Sequence, residues 1–182
     1  MQEHTNGERR GRDLIGMPVY TIAEGRRLGE VTSLLVRRED ATVAAIRIGN
    51  QLAPGPAIPF SALRLVGVDA VLVDSAAALE QVLPKEAERA LDDAVVGKAV
   101  MTASGERIGT ISGFWIATAS GRIVDYRVHP EAGLLSRLAR LVRSDSFEAP
   151  AEQVQALGAD ALIVMNMDTT GDANLPSDPS AK

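Results

Sequence analysis

Residues 14–36 read LIGMPVYTIAEGRRLGEVTSLLV, and residues 95–116 read VVGKAVMTASGERIGTISGFWI. Gly16 matches Gly97 and Val19 matches Val100 at an offset of 81 residues. After a one-residue contraction, Gly25 meets Gly105, Gly29 meets Gly109 and Val31 meets Ile111 at 80. The same offset carries TVAAIRI (42–48) onto RIVDYRV (122–128). An insertion then moves it to 91, where Pro59 meets Pro150, Gly67 meets Gly158 and Asp69 meets Asp160. An ordered series of matched glycines, prolines and apolar residues marks an internal repeat. The chain is read as two copies of one unit, over residues 12–83 and 94–167.

Each unit reads as short strands broken by turn chemistry. Residues 17–22 precede the turn Ala23-Glu24-Gly25-Arg26, whose partner is Ala103-Ser104-Gly105-Glu106. Glycine suits the positive φ such turns require. Residues 27–38 and 107–117 read as long strands with an early glycine, Gly29 or Gly109, marking a bulge, a bend or a close backbone approach. A third strand, a proline-containing turn and a hairpin over Gly67-Val68-Asp69 or Gly158-Ala159-Asp160 complete the unit. The predicted fold class is all-β: two tandem, small, closed or nearly closed β-barrels, since closure removes exposed strand edges.

Between the units, residues 84–93 are read as a helical linker opened by Pro84, and Leu79, Val82, Leu83 and Leu91 demand cover. The leader (1–11) and the tail (168–182) have the polar composition of disordered ends. The chain has 182 residues, six of them aromatic, so its cores must be built from Val, Ile, Leu and Ala. That scarcity argues against a stacking platform for single-stranded nucleic acid. A formal charge of −5 argues against overall attraction to nucleic acid or anionic lipid. Residues 12–83 and 94–167 are nearly balanced in charge, so neither unit is electrostatically specialised as a whole. With no cysteine there is no disulfide framework or thiolate site. No stretch approaches the ~18 apolar residues of a membrane span, and a cytoplasmic location is the expectation.

The repeated pattern of a Gly-x-x-Val opening, a Gly-x-x-x-Gly turn, a third apolar strand, a Pro turn and a Gly-x-Asp-Ala ending resembles the PRC-barrel family. In the second unit, AGLLSR (132–137) and APAEQV (149–154) look like that family's Gly-Gly-Leu-Leu-Gly loop and Val-Pro-Trp-Glu-Asp-Val turn. The first unit keeps Phe60 at the aromatic position after Pro59; the second has Ala151 there. The family includes the cytoplasmic domain of the photosynthetic reaction-centre H subunit and the C-terminal domain of the ribosome-maturation factor RimM. The resemblance therefore implies a non-catalytic binding or assembly module that docks a macromolecular partner. A protein partner is expected first. A ribosome or RNA partner, and a role in assembling or tuning a photosynthetic or redox membrane complex, are the alternatives; homo-oligomers are compatible with all three.

No cofactor, metal site or catalytic group is expected. His129 has no second ordered histidine or cysteine to share a zinc ion with. A Ser–His–Asp set drawn from Ser136 or Ser144 with His129 and Asp125 lacks any nucleophile-elbow motif. No glycine-rich loop opens a helix to cradle phosphate. Candidate partner-binding residues fall in two places. In GLLSRLARLVRSD (133–145), Leu134, Leu135, Leu138, Leu141 and Val142 recur at helical spacing. Arg137, Arg140 and Arg143 fall on the other side of that predicted helix. It either caps its own barrel or docks a partner, its arginines meeting an acidic protein, phosphate or anionic lipid. Phe114 and Trp115 adjoin on a strand, so they face opposite ways: one enters the barrel, the other needs cover from the linker, the sister barrel or another chain.

Overall fold

The computed structural model describes residues 7–50, 53–81, 83, 91, 94–131 and 146–165. The first unit comprises β2 (Pro18–Thr21), β3 (Arg27–Arg37), β4 (Thr42–Asn50), β5 (Ala53–Pro59), β6 (Leu63–Val66) and β7 (Val71–Val73). The second comprises β8 (Ala99–Thr102), β9 (Arg107–Ala117), β10 (Ile123–Pro130), β11 (Phe147–Pro150), β12 (Val154–Leu157) and β13 (Ala161–Val164). Ahead of both lie β1 (Glu8–Arg10) and a one-turn helix, α1 (Gly11–Leu14).

The two sheets run β5-β4-β3-β2-β7-β6 and β11-β10-β9-β8-β13-β12, the same order strand for strand. In each, the first strand pairs in parallel with the last, and the other neighbours are antiparallel. The repeat extends to the irregularities. The register slips between Val31/Ser33 and between Leu35/Val36 in β3. In β9 it slips opposite Arg127/Val128 and Ile123/Asp125, at the positions 80 residues on. Gly29 and Gly109 sit at matching bulges, where β2 and β8 join the long strands. A Cβ on Gly109 would lie 2.3 Å from the carbonyl oxygen of His129, so the early glycine serves close backbone approach.

Each sheet is an open path, a half-barrel: its end strands are joined by a short 3₁₀ turn, Phe60–Ala62 or Ala151–Gln153, entered through Pro59 or Pro150. What completes the core is the sister unit. A single cluster of buried residues runs from Val19, Val31 and Ile46 through Ile116, Tyr126 and Leu162. The units meet where β4 and β10 begin. The Val43 N–H donates to the Gly121 carbonyl (2.8 Å), and the Ile123 N–H donates to the Ala41 carbonyl (2.9 Å). These four residues are two equivalent pairs under the offset of 80, so the seam has local pseudo-twofold symmetry, with Thr42 bridged to Arg122 at its centre. Sharing one core is the physical answer to the limited burial available to units this small.

The expected disorder of the leader (1–11) needs correction from Glu8 onward: Glu8–Arg10 is a strand paired with β9. The strand β8 covers β9 only over Arg107–Thr110, leaving the far half of an 11-residue strand with an open edge. Polar residues of the leader supply the backbone that fills it. On the first unit, Leu79 packs against the common core, while Leu83 and Leu91 pack on Leu35, Ala45 and Ala57. The predicted helix at 84–93 lies outside the described residues except for Leu91, as does the tail at 168–182. The exposed Arg37 and Arg27 pair with Asp40 and Glu30.

Candidate docking surface

On β9 the two aromatics separate as alternation requires. Phe114 is buried in the common core, and a Cβ on Gly11 would lie 2.5 Å from its ring, so α1 rests directly on it. Trp115 faces the other way and is half-buried. Among the described residues β1 lies over it, placing the Arg10 guanidinium 4.8 Å from the centre of the indole. The strap is tied at its start by Thr118, whose N–H and Oγ both donate to the Gly7 carbonyl (2.8 and 3.0 Å).

Beside this pair lies a cleft of about 270 Å³ lined by equivalent residues of both units: Ile15 with Val96, Thr32 with Ser112, and Leu34 with Phe114. It therefore sits on the pseudo-twofold. Ile15 and Val96 stand 46% and 53% exposed at its rim, among the most exposed large apolar side chains of the described residues. The buried hydroxyl of Ser33, which also borders it, has no hydrogen-bond partner. A smaller cleft shares Arg12, Ser112, Gly113 and Phe114 with the first and adds Arg10, Trp115 and Arg127. Arg127 donates from Nε to the Ser146 hydroxyl (2.8 Å), and Arg12 lies 3.5 Å from Asp13 in an exposed pair. Such an exposed pair is worth little. Arg10 and Arg127 form no ion pair among the described residues.

The outer faces of the two units differ sharply in chemistry. Leu35, Ala45 and Ala57 on the first are replaced by Trp115, Asp125 and Glu148 on the second. Asp125 is 4% exposed and stands opposite Trp115 in the ladder. Inside, Ile46 is replaced by Tyr126, which is fully buried with no partner for its hydroxyl. Burial pushes that phenol well above the usual tyrosine range. Lys98, where the first unit has Met17, is also buried, its Nζ donating to the carbonyls of Gly158 (3.0 Å) and Ala159.

Of the residues singled out from sequence, the structure brings Phe114 and Trp115 to these clefts. Arg137, Arg140 and Arg143 lie outside the described residues, as do Ser136 and Ser144. His129 is exposed while Asp125 is buried four positions earlier on the same strand, roughly 13 Å along it, so the two do not form a dyad. Among the described residues no group of three or more His, Cys, Asp or Glu is placed to hold a metal ion. None of their helices is long and apolar enough to cross a membrane. Sequence reasoning passed over Arg10, Arg12 and Arg127; the leader's ERRGR run (8–12) was the available signal, read only as polar composition.

A search of the curated proteins found no match. Comparison with protein families matches the PRC-barrel domain twice, over residues 6–80 and 88–170. Those spans cover well over half of the sequence and coincide with the two half-barrels and the register they share. The chain therefore belongs to the PRC-barrel family and carries the domain in tandem.

Proposed function

We propose that this protein is a non-catalytic module whose fused barrels hold out one specialised face for a macromolecular partner, a protein in the first instance. The observation that carries the reading is the divergence of two outer faces built on one backbone. The first unit's face is apolar and covered by Leu83 and Leu91. The second unit's face is aromatic and charged, with a basic strap laid across it. Binding residues on a rigid scaffold need no chemistry of their own, and no nucleophile, base and oxyanion donor converge among the described residues. A protein partner is favoured over RNA because six aromatics, most of them at least half-buried, offer no run of stacking positions.

The test is a photo-crosslinking scan in the native host, with a photoreactive residue placed singly at exposed sites of both units, among them Ser112, Arg64 and Glu152. The expected result is a discrete protein adduct. A scan that yields no discrete adduct anywhere defeats the reading, and RNA recovered in place of protein replaces it with the ribosome-associated alternative.

A further inference from the structure

We infer that the two adjoining clefts on the pseudo-twofold form one binding site for an acidic peptide segment of a partner protein that carries a single large apolar side chain. The apolar half is set by size. At about 270 Å³ it falls at the lower limit of pockets that engulf a small-molecule ligand, and it is open. Its rim is Ile15 and Val96, and its wall is Leu34 and Phe114. That suits one inserted side chain, the anchor-in-a-pocket arrangement typical of interface hot spots.

The charged half sets the sign of the flanking residues. Arg10, Arg12 and Arg127 surround the contiguous smaller cleft with Trp115 among them. No carboxylate among the described residues lines this cleft: Asp13 pairs with the exposed Arg12, while Asp125, which is buried, and Glu148, opposite Arg127 in the ladder, lie outside its lining. The cleft is symmetric in its apolar lining but not in charge, because the positions equivalent to Arg10 and Arg12 are Leu91 and Asp93. An acidic segment is therefore drawn to one side of the axis, which gives it a direction.

Trp115 is the only tryptophan, so the site carries its own reporter. The experiment uses the full chain and short synthetic peptides: one rich in Glu with a central Phe, the same peptide with Ala for Phe, and one with Lys for every Glu. The Phe-containing acidic peptide is expected to change Trp115 emission saturably, with affinity falling as salt is added. Replacement of Phe by Ala, Val96→Arg, or Arg10→Glu with Arg127→Glu is each expected to weaken binding at least tenfold. Arg64→Glu, at a residue that lines neither cleft, leaves it unchanged, and far-ultraviolet circular dichroism establishes that each variant folds. Equal binding of the Ala peptide, equal binding of the Lys peptide, or tighter binding of an RNA oligonucleotide each overturns the inference. The inference rests on the docking reading but fails separately: a discrete protein adduct at Arg64 or Glu152 with none at Ser112 removes this site and keeps that reading.

Discussion

Leu35, Ala45 and Ala57 on the first barrel and Trp115, Asp125 and Glu148 on the second occupy the same places in the same ladder, bulges included. Among the described residues, the chain's own linker leucines cover the first set, and the Arg10 guanidinium lies over the Trp115 indole of the second. Backbone geometry is common to both, so the difference lies in the side chains. The first barrel spends its face on internal cover and acts as a scaffold. The second carries an indole and two carboxylates at the equivalent positions, with Asp125 buried.

Exchanging residues between the barrels breaks this comparison most severely at Ala45→Asp. It places on the first face the carboxylate that the second face carries, but among Leu35, Leu83 and Leu91. A buried charge without a compensating partner costs about 3–5 kcal/mol, read as a large drop in the urea midpoint. The reverse exchange, Asp125→Ala, costs about 1–2 kcal/mol, because alanine is what the equivalent site accepts. Equal effects would mean that the two faces are equally wet and that the linker leucines do not seal the first.

The seam offers the next comparison. Gly121 has φ +73°, and its Cβ would lie 2.6 Å from the Val43 carbonyl and 3.0 Å from the Phe60 ring. Its equivalent Ala41 holds a positive φ of 50°, the only non-glycine among the described residues to do so, and there the aromatic is replaced by Ala151. Large ring with glycine on one side, alanine with alanine on the other, is a complementary exchange of volume across the axis. Gly121→Ala should cost about 2–3 kcal/mol, while Ala41→Gly should be neutral or stabilise by up to about 1 kcal/mol. Thermal unfolding of the two variants checks both signs. If both destabilise alike, the seam is not governed by this local geometry.

Much of this was legible in the letters. The offsets of 81, 80 and 91 aligned residues that the structure places in identical registers, because glycines at bulges and prolines at turns are imposed by backbone geometry and survive when side chains diverge. Limited cores in units this small foretell a packed pseudo-symmetric pair, but the residues that fuse the two were less legible. Val43 and Ile123 read as ordinary strand residues, and nothing in a strand's alternation says that its first amide will donate to a sister unit. The leader was misread for a related reason: the ERRGR run is polar, and composition reports what a segment can bury, not which open edge its backbone can fill. Trp115 was recognised as needing cover, but its cover lies more than 100 residues away in sequence.

Tyr126 against Ile46 sharpens the comparison inside the core. The buried hydroxyl has no partner, so Tyr126→Phe should stabilise the protein by about 1 kcal/mol at neutral pH. Because the folded phenol titrates above the unfolded value of about 10, the native state holds its proton where the unfolded chain releases it. That contribution is complete below pH 10 and is lost as pH rises toward the folded pKa, with a slope of about 1.4 kcal/mol per pH unit. Denaturant titrations at pH 9 to 11 should therefore show the gap between the Phe variant and the parent widening with pH. A constant gap would place the hydroxyl in contact with water.

The smallest expected effect tests the strap. Arg10 covers Trp115 as Leu91 covers part of the first face, yet a half-exposed cation over a ring contributes only about 0.5–1 kcal/mol. At this chain length that corresponds to about 1–4 °C in Tm. Arg10→Ala should lower Tm within that range and shift the emission of Trp115 to the red as water reaches the ring. Arg10→Leu should keep the emission blue while abolishing any dependence on charge, making the second face resemble the first. The emission decides the matter, because loss of the β1 pairing would move both variants together, whereas loss of the cation's cover moves only the alanine. If both shift equally, it is the strand's backbone, and not the guanidinium, that shields Trp115.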